Sequence, residues 1–179
     1  MHDLPWEVRA TRVLHDTVVR VEEQDVVTPD GRGFAYLLLK SRGFVKVLPV
    51  TAAGEIIFVH QYRHAFGRTT LELPAGGIDP GEEPAEAAHR ELAEEALVRA
   101  GSLEPLGTFA TSPGRSDEVG HIFLARGCVD APDAVQHEPT APLRVPIADA
   151  FALIGDEVTD AMSVVALLLA RPSLLPDGP

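Results

Sequence analysis

Three glutamates in one short segment, Glu91, Glu94 and Glu95 of Arg90-Glu-Leu-Ala-Glu-Glu95, have the types and spacing to do chemistry. On an α-helix they stand at i, i+3 and i+4 and share one face. Like charges so placed repel one another and weaken an isolated helix, and a bound divalent cation removes that repulsion. Mg²⁺, with Mn²⁺ as its substitute, is a hard ion that takes oxygen ligands and commonly combines a few carboxylates with substrate phosphates. On composition alone a solvated acidic face is the commoner explanation of such a cluster. His60, His64, His89 and His121 lack a paired ligand spacing, and His89 points away from the acidic face, so a transition-metal site is not expected.

The residues around the cluster indicate how it is positioned. From Pro84 to Ala100 the chain is rich in Ala, Glu, Leu and Arg, which favour helix. Asp79-Pro-Gly-Glu-Glu-Pro84 places acids at the positive end of that helix and a proline in its first turn. Ahead of it, Glu72-Leu-Pro-Ala-Gly-Gly77 is a tight approach. Strands are expected at Ala10–Leu14 and Thr17–Val21, separated by His15-Asp16, and at Phe34–Leu39 after the turn Pro29-Asp-Gly-Arg-Gly33. Further strands are expected at Val45–Val50, Glu55–Tyr62, Leu106–Thr111 and His121–Ala125. Pro146–Ile154 and Asp160–Ala170 are expected as closing helices, and Gly127–Leu143 as a polar, mobile loop.

Composition narrows the function classes. A chain of 179 residues with 45% apolar content can bury a sizeable core. A net charge of −12 with no basic tract argues against general nucleic-acid binding. Cys128, the one cysteine, permits no intrachain disulfide and is expected as a buried small hydrophobe. No basic-then-apolar leader is evident at Met1–Trp6, and the apolar run Ala161–Ala170 is too short to span a bilayer. We therefore expect a soluble, cytoplasmic protein with no membrane association.

Gly76, five residues, Glu82, seven residues and then Arg90-Glu91-Leu92-x-Glu94-Glu95 resemble the Nudix hydrolase signature at every charged position. Gln61-Tyr62-Arg63, Glu72-Leu-Pro-Ala-Gly76 and Ser112-Pro-Gly-Arg-Ser-Asp-Glu118 are similar to motifs of the ADP-ribose pyrophosphatase subgroup, and Pro113 stands where that subgroup has its marker proline. The resemblance implies an α/β (α+β) fold: a Nudix α/β/α sandwich with a mixed β-sheet, over residues 44–179, and an N-terminal antiparallel β-sheet over residues 1–43 that takes part in a homodimer. It also implies Mg²⁺-dependent hydrolysis of ADP-ribose to AMP and ribose 5-phosphate by a metal-activated water. A flavin or sugar nucleotide, or a catalytically silent nucleotide-sensing role, is the alternative.

The same resemblance assigns residues. Ala75 (through its carbonyl), Glu91, Glu94 and Glu95 would hold the metal. Glu118 and Glu94 would be catalytic, Glu118 as general base or additional ligand. Arg63, Glu72, Gly76, Gly77, Pro113 and Gly114 would surround the substrate, Arg63 by bidentate contact with its diphosphate. Glu82 and Arg90 would form a bracing ion pair. One position departs from the signature: Leu97 stands where the family has a glycine. Leucine enters the left-handed region only at a cost, so the helix is expected to continue to Gly101.

Overall fold

The computed structural model describes residues 5–136 and 140–176; residues 137–139 of the expected mobile loop and the first residues of the Met1–Trp6 segment lie outside them. The chain divides into two compact units. One runs to Arg42 and includes Ala110–Val119, and the other comprises Gly43–Phe109 and the chain from Gly120 onward.

In the first unit, β1 (Glu7–Asp16), β2 (Arg20–Val27) and β3 (Gly33–Lys40) form an antiparallel sheet in that order. The β2–β3 connection is the expected turn, with Gly31 at φ 82° and its N–H donating to the Thr28 carbonyl at 2.8 Å. The first hairpin differs from expectation: it turns through Thr17–Val19, and His15-Asp16 belongs to β1. Asp16 pairs with Arg20 in register and accepts a 3.0 Å bond from its guanidinium. Every residue of β1 is exposed, so polar residues extend this edge strand at no desolvation cost.

The second unit is built on a mixed, eight-stranded sheet. Its strands are β4 (Phe44–Thr51), β5 (Glu55–Arg63), β6 (Arg68–Glu72), β7 (Ala75–Gly77), β8 (Val98–Arg99), β9 (Ser102–Ala110), β10 (Val119–Asp130) and β11 (Ala141–Pro146). The central path runs β11-β5-β4-β10-β8, with β6 beside β5, β7 beside β4 and β9 beside β10. β4 lies parallel to β10 and antiparallel to β5 and β7. Helices α1 (Pro84–Ala96) and α3 (Ala161–Leu174) cover opposite faces. Val45 and Val47 pack with Ala87, Ala88, Leu92 and Ala96 of α1. Leu48 and Val50 pack with Ala166, Leu167 and Ala170 of α3. Burial on both faces explains why β4 reads as an almost unbroken apolar run. This is the expected α/β/α sandwich.

Two helical expectations change. Pro146–Ile154 is not one helix but a single turn, α2 (Ile147–Ala150), followed by a 3₁₀ turn at Phe151–Leu153. Helix α1 stops at Ala96 rather than Gly101, and Leu97 takes the left-handed conformation at φ 54° and ψ 38°. Its N–H bonds the Leu92 carbonyl, and its own carbonyl accepts from Ala131 N–H at 2.8 Å. Val98, fully buried, then pairs with Asp130 of β10, so the chain must reverse immediately after the helix. The expected Gly127–Leu143 loop is also shorter, because β10 continues to Asp130 and β11 begins at Ala141. No described helix is long and apolar enough to cross a membrane. Cys128 is buried, and burial pushes its thiol up to about 11, which suits a packing role rather than a nucleophile.

Candidate active site

Helix α1 starts where its caps dictate. Pro84 takes the first helical position, and Glu83 and Glu86 form a reciprocal capping box. Its small apolar stripe, Ala87, Ala88, Leu92 and Ala96, seats it on the sheet. That seating carries Glu91 and Glu95, one turn apart on the flank of the stripe, out of solvent: they are 7% and 5% exposed. Buried carboxylates without compensation are costly, so their surroundings matter.

Strand β7 supplies those surroundings. Gly76 pairs with Val45 of β4 and lies so close to α1 that a Cβ there would overlap the Glu91 carboxylate. Ala75 N–H donates to Glu95 Oε2 at 2.8 Å. Burial, with the nearby Glu91 charge adding to it against the Ala75 bond, pushes the Glu95 carboxyl up to about 7.

Arg90 is the fulcrum of this corner. Its Nε and Nη2 meet both Glu82 oxygens at 2.9 Å, and Nη2 also donates to the Gly77 carbonyl at 2.8 Å. Its Nη1 reaches Glu91 and, at 3.3 Å, Glu94. The Arg90 bond and a 2.9 Å bond from Asp79 N–H hold the Glu82 carboxyl below the usual range.

A second polar group lies on β5 and β6. Arg63 Nε and Nη2 make a bidentate pair with Glu72, both bonds 2.8 Å, and the Thr70 hydroxyl adds a third at 2.7 Å. Burial alone would raise the Glu72 carboxyl. Arg63, Lys46 and Thr70 outweigh it and hold the group at about 2. Lys46, 2% exposed, is a residue that motif spacing does not reveal. Its signal is a charge inside the apolar run Phe44-Val-Lys-Val-Leu-Pro-Val50.

Glu118, Pro113 and Gly114 belong to the first unit. There the segment Ser112–Ser116 folds on itself, with Arg115 and Ser116 N–H both donating to the Ser112 carbonyl at 2.9 Å. Tyr36 hydroxyl donates to the Gly114 carbonyl, and Leu39 N–H to that of Arg115. The Glu118 carboxylate accepts from Thr111 Oγ1 at 2.8 Å and Ser41 Oγ at 3.1 Å. The Ser41 hydroxyl is not apparent as a partner in the sequence, since it is 77 residues distant.

Among the described residues, no three His, Cys, Asp or Glu side chains converge as a finished metal site. Arg90 draws Glu91 and Glu94 to itself instead. The donor set nevertheless fits a hard divalent ion: two buried carboxylates one turn apart, a third beside them, and backbone oxygen in an adjoining short strand.

A model of the NUDIX domain matches residues 40–166. The ADP-ribose pyrophosphatase of Bacillus subtilis (strain 168) is 36% identical over 160 residues, covering 87% of this chain and 86% of that protein. The ADP-ribose pyrophosphatase of Mycobacterium tuberculosis (strain ATCC 25618 / H37Rv) is 31% identical over 173 residues, covering 93% and 83%. The crystal structure of an ADP compounds hydrolase shares the fold with a TM-score of 0.83 over 99% of both chains, at 24% identity.

Proposed function

The chain belongs to the Nudix hydrolase family, as a homologue of ADP-ribose pyrophosphatases, and from that premise we propose that it hydrolyses ADP-ribose to AMP and ribose 5-phosphate with Mg²⁺, Mn²⁺ being able to replace it. The observation that carries the reading is the buried pair Glu91 and Glu95, with Gly76 lying directly against the Glu91 carboxylate. The near full-length relatives support the choice of substrate.

In this reading Glu91, Glu94, Glu95 and the Ala75 carbonyl hold the cation. When bound, the ion lowers the pKa of water and offsets charge developing on the phosphoryl oxygens. Arg63, held in place by its bidentate pair with Glu72, would offer its guanidinium to the diphosphate. Gly76 and Gly77 would let substrate approach the backbone closely, and Pro113 and Gly114 are likewise assigned to substrate binding. Glu118 would be the general base that takes the proton of the attacking water, and Glu94 is assigned as the second catalytic acid. Arg90 and Glu82 brace the approach to α1. We assign the protein to the cytoplasm.

We further propose a homodimer through residues 1–43. The support is an edge strand, β1, exposed along its whole length, together with exposed Trp6, Val8, Val13, Leu14, Val18 and Val19. Incubation with a panel of ADP-ribose, flavin and sugar nucleotides plus Mg²⁺, with chromatography of the products, tests the substrate. AMP and ribose 5-phosphate released fastest from ADP-ribose is the expected result. A faster reaction with a flavin or sugar nucleotide overturns it.

A further inference from the structure

We propose that Lys46 is a positioning residue: from β4 it fixes Glu72, and through it Arg63, together with the Leu73 carbonyl on the approach to Ala75. The inference deepens the proposed function and rests on its assignment of Arg63 to the substrate diphosphate.

Lys46 shares the α3 face of β4 with Leu48 and Val50, where an apolar residue would pack. Lysine is almost never fully buried unless paired, and this one is paired completely. An ammonium has three N–H donors. Here they meet Asp160 Oδ2 at 3.0 Å, Glu72 Oε2 at 3.3 Å and the Leu73 carbonyl at 3.3 Å. The acceptors come from the N-cap of α3, from β6 and from the segment after β6. With Arg63 also bonded to Glu72, two cations share the two anions Glu72 and Asp160.

Stability alone gives little reason to keep such a group. Buried ion pairs are often matched or bettered by apolar side chains of similar volume. What the lysine does supply is fixed geometry. Leu73 N–H donates to Ser163 Oγ at 2.9 Å, while Lys46 holds the same residue's carbonyl. Val47 N–H then holds the Pro74 carbonyl at 2.9 Å, and Ala75 N–H meets Glu95. Asp160, the third acceptor of Lys46, is itself fixed by Ser163 N–H at 2.8 Å. A single ammonium therefore joins the Arg63–Glu72 pair to the segment carrying Ala75.

The test is a cycle of Lys46→Met, Glu72→Gln and the charge-balanced double variant in the full chain. It reads kcat and KM for ADP-ribose, thermal melting, and calorimetric affinity for ADP as a diphosphate probe. Each single variant should weaken ADP binding and raise KM by roughly tenfold. The double variant should be no worse than Glu72→Gln alone, because both act through Arg63. Losses that multiply in the double variant overturn the proposal, as does wild-type ADP affinity in a folded Lys46→Met. Should Lys46→Met not fold, comparison of the double variant with Glu72→Gln decides alone, with further loss overturning it. A wild type that binds ADP but does not cleave ADP-ribose defeats the substrate assignment only, and the binding cycle still tests Lys46.

Discussion

Glu95→Gln should stabilise the metal-free protein and abolish its turnover. Burial, then the Glu91 charge, raise the Glu95 carboxyl from 4.5 to about 7. Folded Glu95 thus keeps its proton where the unfolded chain has released it. Its contribution is whole below pH 4.5 and is lost as pH rises through about 7. That rise corresponds to a ceiling of about 3 kcal/mol at pH 8. Gln keeps the acceptor for Ala75 N–H, and its amide can donate to Glu91. It forgoes the attraction of the carboxylate to Lys46 and Arg63, so the expected gain is smaller, about 1–2 kcal/mol. At roughly 2–4 °C per kcal/mol for a chain of this size, that is about 2–8 °C in melting temperature. Melts in EDTA at pH 8 should show the gain, and melts at pH 5 should show little of it. Added Mg²⁺ should raise the melting temperature of the wild type more than that of the variant. A variant no more stable than wild type at pH 8 refutes the electrostatic reasoning. Near-normal turnover at saturating Mg²⁺ refutes the ligand assignment.

Gly76→Ala must displace either β7 or the Glu91 carboxylate, and it should cost about 1–3 kcal/mol in urea unfolding and most of the turnover; wild-type kinetics would show that the close approach is dispensable. Glu118→Gln should lower kcat far more than KM if the carboxylate prepares water, whereas a rise in KM alone would make Glu118 a binding residue. For Glu72 the sign is opposite to that of Glu95: its carboxyl sits at about 2, so its stabilising contribution is present above pH 4.5 and is lost as pH falls through about 2. The gap in urea midpoint between wild type and Glu72→Gln should therefore narrow from pH 5 to pH 2.5, and a constant gap would contradict the ion-pair account. Light scattering should give about twice the 19.2 kDa of one chain, and a mass near 19.2 kDa would sink the dimer.

What could be read from the sequence is what depends on near neighbours. The start of α1 rests on Pro84 and the acids before it, and the shared face of Glu91 and Glu95 on helical period alone. β4 and β5 are apolar runs bounded by a glycine turn, and they emerge within a residue of their expected limits. Features that depend on distant partners were not legible. β7 is three residues of Ala and Gly with no strand pattern, and it exists because β4 pairs with it. Lys46 reads as one charge in an apolar run until Asp160, remote in sequence, closes its third bond. The turn falls at Thr17–Val19 instead of His15-Asp16 because polarity signals a loop only where burial would penalise it, and β1 is exposed throughout.

Leu97 shows how such distant partners can overrule a sound local rule. The left-handed region costs an L-residue about 1–2 kcal/mol, and Leu97 is the only non-glycine with positive φ among the described residues. Strain of this kind persists where the surroundings over-determine the backbone. Here Leu97 N–H returns to the Leu92 carbonyl, Ala131 N–H grips the Leu97 carbonyl, and the buried Thr140 hydroxyl donates to the Glu95 carbonyl at 2.9 Å. The last turn of α1 is thus fastened from both sides of the β10–β11 connection. A helix continued to Gly101 would lose those bonds and the pairing of Val98 with β10. The strained residue therefore belongs to the same set of contacts that fixes the backbone of Glu95, two positions earlier, whose carboxylate accepts from Ala75 N–H.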